Sequence, residues 1–251
     1  MKSAKTVLSM IILCLPLLAC EPAASDEIRV AVASNFTEAM KRLAARFEER
    51  TGHRVKLIFG STGKHYAQIK NGAPFDLFFA ADSKRPRLLE EEGAALPGSR
   101  FTYAIGKLIL WSPNPGLVDP EATVLRQGTF RHLAIANPKL APYGKAAREV
   151  LLKYKLWDIL RGRSVRGENI GQTFQFVKSG NAELGFVAYA QVKRPGKPIE
   201  GSYWAVPQAL YSPIAQQAIQ LKESEVAKAF ISFVKGDESL QIIQGFGYGI
   251  P

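Results

Sequence analysis

The sequence predicts an α/β fold, and three observations carry that prediction. Short apolar runs of strand length alternate with amphipathic runs of helix length from residue 28 onward, at the spacing of strand–helix–strand units. Of the 251 residues, 47% are apolar and 22% charged, the balance of a chain that buries a core and keeps a wetted surface. No repeat period, heptad run or low-complexity tract interrupts the alternation.

Taken in order, Lys2 and Lys5 precede an unbroken apolar run from Val7 to Ala19. That run is too short to cross a bilayer and has the form of an export signal. It closes on Leu17-Leu18-Ala19-Cys20, the pattern of a bacterial lipobox in which Cys20 becomes the acylated first residue; ordinary cleavage near Ala24 is the alternative. Residues 1–25 are therefore read as signal and tether. Cys14 and Cys20 are the only cysteines, so the folded body holds no thiol for a disulfide, a nucleophile or a zinc site.

Ile28 to Ala33 (IRVAVA) then reads as a buried strand, and Phe36 to Arg50 as a helix with Met40, Leu43 and Phe47 on its inward face, ending at Gly52. Strand Val55 to Phe59, helix Thr62 to Lys70, strand Phe75 to Ala80 and helix Arg85 to Glu92 continue the pattern, which argues for parallel sheets. Tyr103 to Ser112 (YAIGKLILWS) reads as one apolar strand opening a second region. Leu133 to Ala136, Lys145 to Tyr154, Arg163 to Arg166, Gly171 to Lys178 and Leu184 to Tyr189 carry the alternation on. Pro195 to Pro198 is a turn; Ser224 to Val234 and Ser239 to Gln244 are helical in pattern.

In such a fold the strand-to-helix turns gather at one edge of a sheet, where helix N-termini offer unpaired amides and partial positive charge. Ala33-Ser34-Asn35-Phe36 and Phe59-Gly60-Ser61-Thr62-Gly63 are two such turns, and each also suits simple helix capping. Asn137 to Gly144 and Gly167 to Gly171 are two more in the second region. Paired donor-rich turns in two regions predict a cleft between lobes. Hydroxyls and amides with no arginine among them suit a small, fully deprotonated oxyanion held by many short hydrogen bonds.

Other chemistries find little support. Gly60 to His65 looks like the end of a phosphate-binding loop but lacks the glycine four residues before Gly63-Lys64 and has His65 where Ser or Thr is required. Ser61 and His65 as nucleophile and base lack a carboxylate nearby in sequence. His53, His65 and His132 have no metal-ligand spacing, and Tyr143, Tyr189, Tyr203 and Tyr211 include no adjacent pair for ferric iron. The formal charge of +11, from 33 basic and 22 acidic residues, invites a nucleic-acid reading. The bases, such as Lys41, Arg42 and Arg46, are spread over helix backs, so no nucleic-acid partner is expected.

Four segments together resemble the periplasmic molybdate-binding proteins of ATP-driven oxyanion importers: VAVASNFTEAMKRLAARFEERTG, FGSTGKHYAQIKNGAPFDLFFAAD, YAIGKLILWS and LGFVAYAQV. The resemblance implies two α/β lobes, each a mixed sheet flanked by helices and joined by two crossings. Residues 26–103 with 208–251 would form the first lobe and 104–207 the second. It implies a non-enzymatic monomer in the periplasm, touching membrane only through an anchor at Cys20, with molybdate or tungstate as cargo, no resident cofactor, and an inner-membrane permease with its ATPase as partner. Sulfate, phosphate or ferric iron are the alternative cargoes. Carried onto matching positions, the ligands would be Ser34, Asn35, Ser61 and the amides of Tyr143 and Ile170. Relatives that use a late tyrosine have it where this chain reads Ala188, so Tyr189 is a weaker candidate and Asn35 a stronger one.

Overall fold

The computed structural model describes residues 26–251; the leader, with Lys2, Lys5, Cys14 and Cys20, and the tether to residue 25 lie outside the described residues. Strand β1 (Glu27–Ala33) pairs in parallel with β2 (Arg54–Gly60), in register from Glu27 opposite Arg54 to Ala33 opposite Gly60. Its other edge carries β3 (Leu77–Phe79), also parallel. Helix α1 (Thr37–Thr51) buries Met40, Leu43 and Phe47 as its apolar spacing requires. It stops at Gly52, whose φ of 74° is the left-handed turn that glycine makes without strain. Helices α2 (Thr62–Lys70) and α3 (Lys84–Glu91) lead on to β4 (Phe101–Gly106).

The second sheet is built from β5 (Leu108–Ser112), β6 (Leu133–Ala136), β7 (Ser164–Gly167), β8 (Leu184–Ala188) and β9 (Ser202–Ala205). Helices α4 (Val124–Gln127), α5 (Pro142–Lys153), α6 (Trp157–Leu160), α7 (Ile170–Lys178) and α8 (Tyr189–Val192) flank it. The chain then returns through β10 (Ile214–Gln220), which lies antiparallel between β3 and β4, and ends with α9 (Glu225–Lys235) and α10 (Asp237–Gly245) packed on the first lobe.

The two sheets share one plan, β2-β1-β3-β10-β4 and β7-β6-β8-β5-β9. In each, three parallel strands are followed by an antiparallel one and an edge strand. Strand–helix alternation alone predicted parallel sheets; the observed sheets are mixed, as the family resemblance implied. Each lobe has its own aromatic or aliphatic core. In the first, Phe230 meets Phe47 edge-on at 5.0 Å, with Phe79 beside it. Each such ring, fully buried, contributes about 1.5–3 kcal/mol.

Two differences from the sequence reading bear on the site. The run from Tyr103 to Ser112 is two strands, because the chain leaves the first sheet after Gly106 and enters the second at Leu108, with Lys107 exposed between them. A division at 103/104 thus falls inside β4. The second crossing lies between β9 and β10, neither of which the apolar pattern revealed: IAQQAIQ carries three glutamines in a strand that is largely buried.

Candidate functional site

Four strand-to-helix turns meet where the lobes face each other. After β1, Ser34–Phe36 forms a single 3-10 turn, which leaves the amides of its first residues without carbonyl partners of their own. After β2, Ser61 caps α2, its Oγ accepting from the amide of Lys64 at 3.3 Å. After β6, extended Ala141 leads to Pro142 at the first position of α5, where a residue without an N–H and with a fixed φ is at home. Tyr143 therefore supplies the first free amide of that helix. After β7, Asn169 caps α7 by accepting from the amide of Gln172 at 2.9 Å, and Ile170 supplies the first amide.

Ser34, Asn35, Ser61 and Thr62 line one side of the space between the turns, and Pro142, Tyr143, Asn169 and Ile170 the other. No charged side chain is among the lining residues. The space between the turns is about 10 Å³, room for about one water. A tetrahedral oxyanion would enter only if the lobes moved apart. They are held together by Ser34 Oγ donating to Asn169 Oδ1 at 3.0 Å, the amide of Gly171 donating to Ser34 Oγ at 3.0 Å, and the amide of Gly63 donating to the carbonyl of Leu140 at 2.9 Å. At the rim, Arg85 donates to the carbonyl of Lys139 at 2.9 Å, and Lys64 pairs with Glu168 at 3.2 Å.

Of the six residues expected at the site, five come together here. Asn35 does so in an unforeseen way: its side-chain amide is buried and donates to Gln216 Oε1 at 2.7 Å and to the Tyr248 hydroxyl at 3.1 Å. Asn35 lines the cavity, but its side-chain amide is engaged by the first lobe beneath it. Tyr189 is the sixth and stands apart. It begins α8, its ring packs where a side chain on Gly247 would go, and its neighbour at 6.4 Å is Tyr203. The departure at Ala188 and Tyr189 thus places the phenol outside the cavity.

Tyr143 divides its functions. Its backbone lies in the first turn of α5 at the cavity, while its phenol crosses to the first lobe and lies 3.5 Å from Gln216 Nε2. Burial pushes the phenol well above the usual tyrosine range, so it stays neutral. Tyr211 accepts from the amide of Leu108, and the phenols of Tyr103, Tyr143 and Tyr248 are taken up by hydrogen bonds among Gln216, Asn35 and Ala80. His65 is buried and contacts Gln68 Oε1 at 3.1 Å. Burial holds it below the usual histidine range; its backbone amide donates to the Ser61 carbonyl at 3.0 Å, but its ring contacts Gln68 rather than Ser61 Oγ, which serves the amide of Lys64. No nucleophile–base pair exists there. Among the described residues, no group of three His, Cys, Asp or Glu could hold a metal ion.

Thr62 and Asn169 belong to the site although no role was assigned to them from sequence; both sit in turns that were recognised. Gln216, Tyr103 and Tyr248 form a buried polar floor that no turn signal could have revealed.

Residues 28–249 match the family described as bacterial extracellular solute-binding protein. The chain belongs to that family. This solute-binding protein is 51% identical over 237 residues to the molybdate-binding protein ModA of Azotobacter vinelandii, covering 93% of this chain and 94% of that one. It is 50% identical to ModA of Rhodobacter capsulatus over 230 residues, 90% of each. The solved periplasmic molybdate-binding protein of A. vinelandii superposes with a TM-score of 0.87 at 47% identity, over 89% of this chain and 99% of that one. A sulfate-binding protein from Mycobacterium tuberculosis shares the fold at 14% identity and a TM-score of 0.70. The cavity of this solute-binding protein lies between its two lobes, and the family is extracytoplasmic.

Proposed function

We propose that this protein captures molybdate or tungstate by closing its lobes around the dianion and delivers it to an inner-membrane ABC-type permease with its ATPase. The observation that carries the reading is the uncharged cage of hydroxyls and helix-start amides in a chain about half identical to molybdate-binding proteins. A fully deprotonated oxyanion presents acceptors only, so every lining group must donate; a carboxylate there would repel it, and an arginine would favour charge over size. Helix N-termini supply the compensating partial charge. Sulfate, being smaller, would leave some of these hydrogen bonds long or unmade.

The protein acts by binding alone, with molybdenum present only as cargo oxyanion. It works as a monomer in the periplasm, held to a membrane through acylated Cys20; no described helix is long and apolar enough to span one. Calorimetry with molybdate, tungstate, sulfate and phosphate tests the assignment. Tight, nearly equal binding of the first two and much weaker binding of the others is expected; tight sulfate binding without a response to molybdate would overturn it. Mass spectrometry of the mature N-terminus distinguishes an acylated Cys20 from cleavage near Ala24.

A further inference from the structure

Beneath the cavity lies Gln216, wholly buried on β10 where that strand's register shifts between Gln216 and Gln217. Both ends of its amide are engaged. Oε1 accepts from Asn35 Nδ2 at 2.7 Å and from the Tyr103 hydroxyl at 3.2 Å; Nε2 donates to the Tyr143 hydroxyl at 3.5 Å. Asn35 and Tyr143 are the cavity residues that reach the floor from opposite lobes, so one side chain holds a member of each half. The surroundings add to the constraint. Tyr248 donates to the carbonyl of Asn35 at 2.8 Å, and Tyr103 to that of Ala80 at 3.0 Å. The Tyr143 hydroxyl occupies the position a side chain on Gly106 would need, and Gln216 Nε2 lies 3.0 Å from that same position.

We propose that Gln216 is the positioning residue of the oxyanion site. It sets the first-turn amides through Asn35 and the α5 start through Tyr143 in the closed arrangement, and it does so as an uncharged amide. This rests on the oxyanion reading above. The chemistry explains why the residue is an amide. Gln216 accepts from Asn35 and Tyr103 and donates to Tyr143 without carrying charge, whereas a carboxylate could only accept from these groups and would be ionised. A negative charge under a cage meant for a dianion would also oppose binding, with little water to screen it. A protonated Glu restores one acceptor and one donor. The titratable groups facing Gln216 are the phenols of Tyr103 on β4, Tyr143 on α5 and Tyr248 at the C-terminus, all held neutral by burial, and Asp82 acts on Tyr103 from the first lobe.

The test is calorimetric titration of the mature parent, Gln216→Glu and Tyr143→Phe with molybdate at pH 6 and pH 8, alongside thermal unfolding without ligand. The parent is expected to change less than about threefold between the two pH values. Gln216→Glu should bind within about threefold of the parent at pH 6 and be weaker by roughly thirtyfold or more at pH 8, as its buried carboxyl ionises. Tyr143→Phe, which loses only a hydroxyl, should weaken binding by about three- to tenfold at both. A merely structural glutamine would lower unfolding temperature without this pH signature. A Gln216→Glu protein with the parent's affinity and pH profile, or one equally weak at both pH values, overturns the proposal. If the parent ignores molybdate but binds sulfate or phosphate, the molybdate reading falls, and the same pair of pH values with that anion decides the role of Gln216. A parent that binds none of them removes both.

Discussion

The two lobes share a strand plan but offer the cavity different chemistry. The first presents hydroxyls, Ser34, Ser61 and Thr62, at turns after β1 and β2; the second presents chiefly the backbone amides of Tyr143 and Ile170 at the starts of α5 and α7. A hydroxyl can be deleted by one substitution, whereas an amide persists through any substitution except proline and can only be displaced. Alanine scanning would therefore delete the first lobe's hydroxyl donors directly, and reach the second lobe's amides only through side chains, such as that of Tyr143, that seat them. The second lobe's contribution is set by how its helices are seated.

The largest effect should come from disturbing that seating. A side chain on Gly144 would overlap the carbonyl of Ala136, so Gly144→Ala must shift the start of α5 and with it the amide of Tyr143. A stability loss of about 1–3 kcal/mol and an affinity loss of roughly two decades are expected by thermal unfolding and calorimetry. Unchanged affinity would show that the α5 start is not part of the site.

Next come the hydroxyls. Ser34→Ala or Ser61→Ala should each leave an anion oxygen without its donor and cost about 1–3 kcal/mol, roughly one to two decades in affinity. If both bind like the parent, the side-chain half of the comparison is wrong. A smaller effect, about tenfold, is expected for Ile170→Pro. Proline is tolerated at a helix's first position, and Asn169 before it is already extended, at φ −139° and ψ 170°, so the change removes one N–H while circular dichroism should stay the same. Parent-like binding would take that amide out of the site.

The smallest effect on binding, none, is expected for Glu183→Gln. Burial alone would raise the carboxyl, but the amide of His132 and the side chain of Arg131, each at 2.9 Å, outweigh it and hold the pKa at about 2. Because the folded value lies below the ordinary one of 4.5, the stabilisation is complete above that value. It is lost as pH falls through about 2. The substitution should cost about 1–2 kcal/mol at pH 7 and flatten the acid limb of stability, with affinity unchanged. A change in affinity would mean that the second lobe's edges and its cavity are not separable.

What the sequence made legible follows from where its signals are local. The alternation of apolar runs and the Ser, Asn and Pro residues at helix starts located the four turns; the family resemblance singled out Ser34, Asn35, Ser61, Tyr143 and Ile170 within them, and the structure brings these to one cavity. Signals that depend on distant pairing were not readable. Gln216 and Gln217 break the apolar pattern of β10, so the strand that completes the first sheet went unseen and its amide with it. Tyr103 to Ser112 is continuously apolar because both strands are buried, and nothing in that run marks Lys107 as the point of crossing. Asn35 was identified by position, while the direction of its side chain depends on Gln216 and Tyr248, which are remote in sequence.

The placement of β10 also dictates an order of assembly. All five strands of the second sheet lie within residues 108–205, whereas the first sheet cannot connect β3 to β4 until residues 214–220 arrive. During synthesis or export the inserted lobe can close on itself first, while the lobe that begins the chain waits with an open edge on β3, a long-range closure that slows folding. A chain truncated just before Ile214 would keep an intact second sheet and leave β4 stranded from β2-β1-β3.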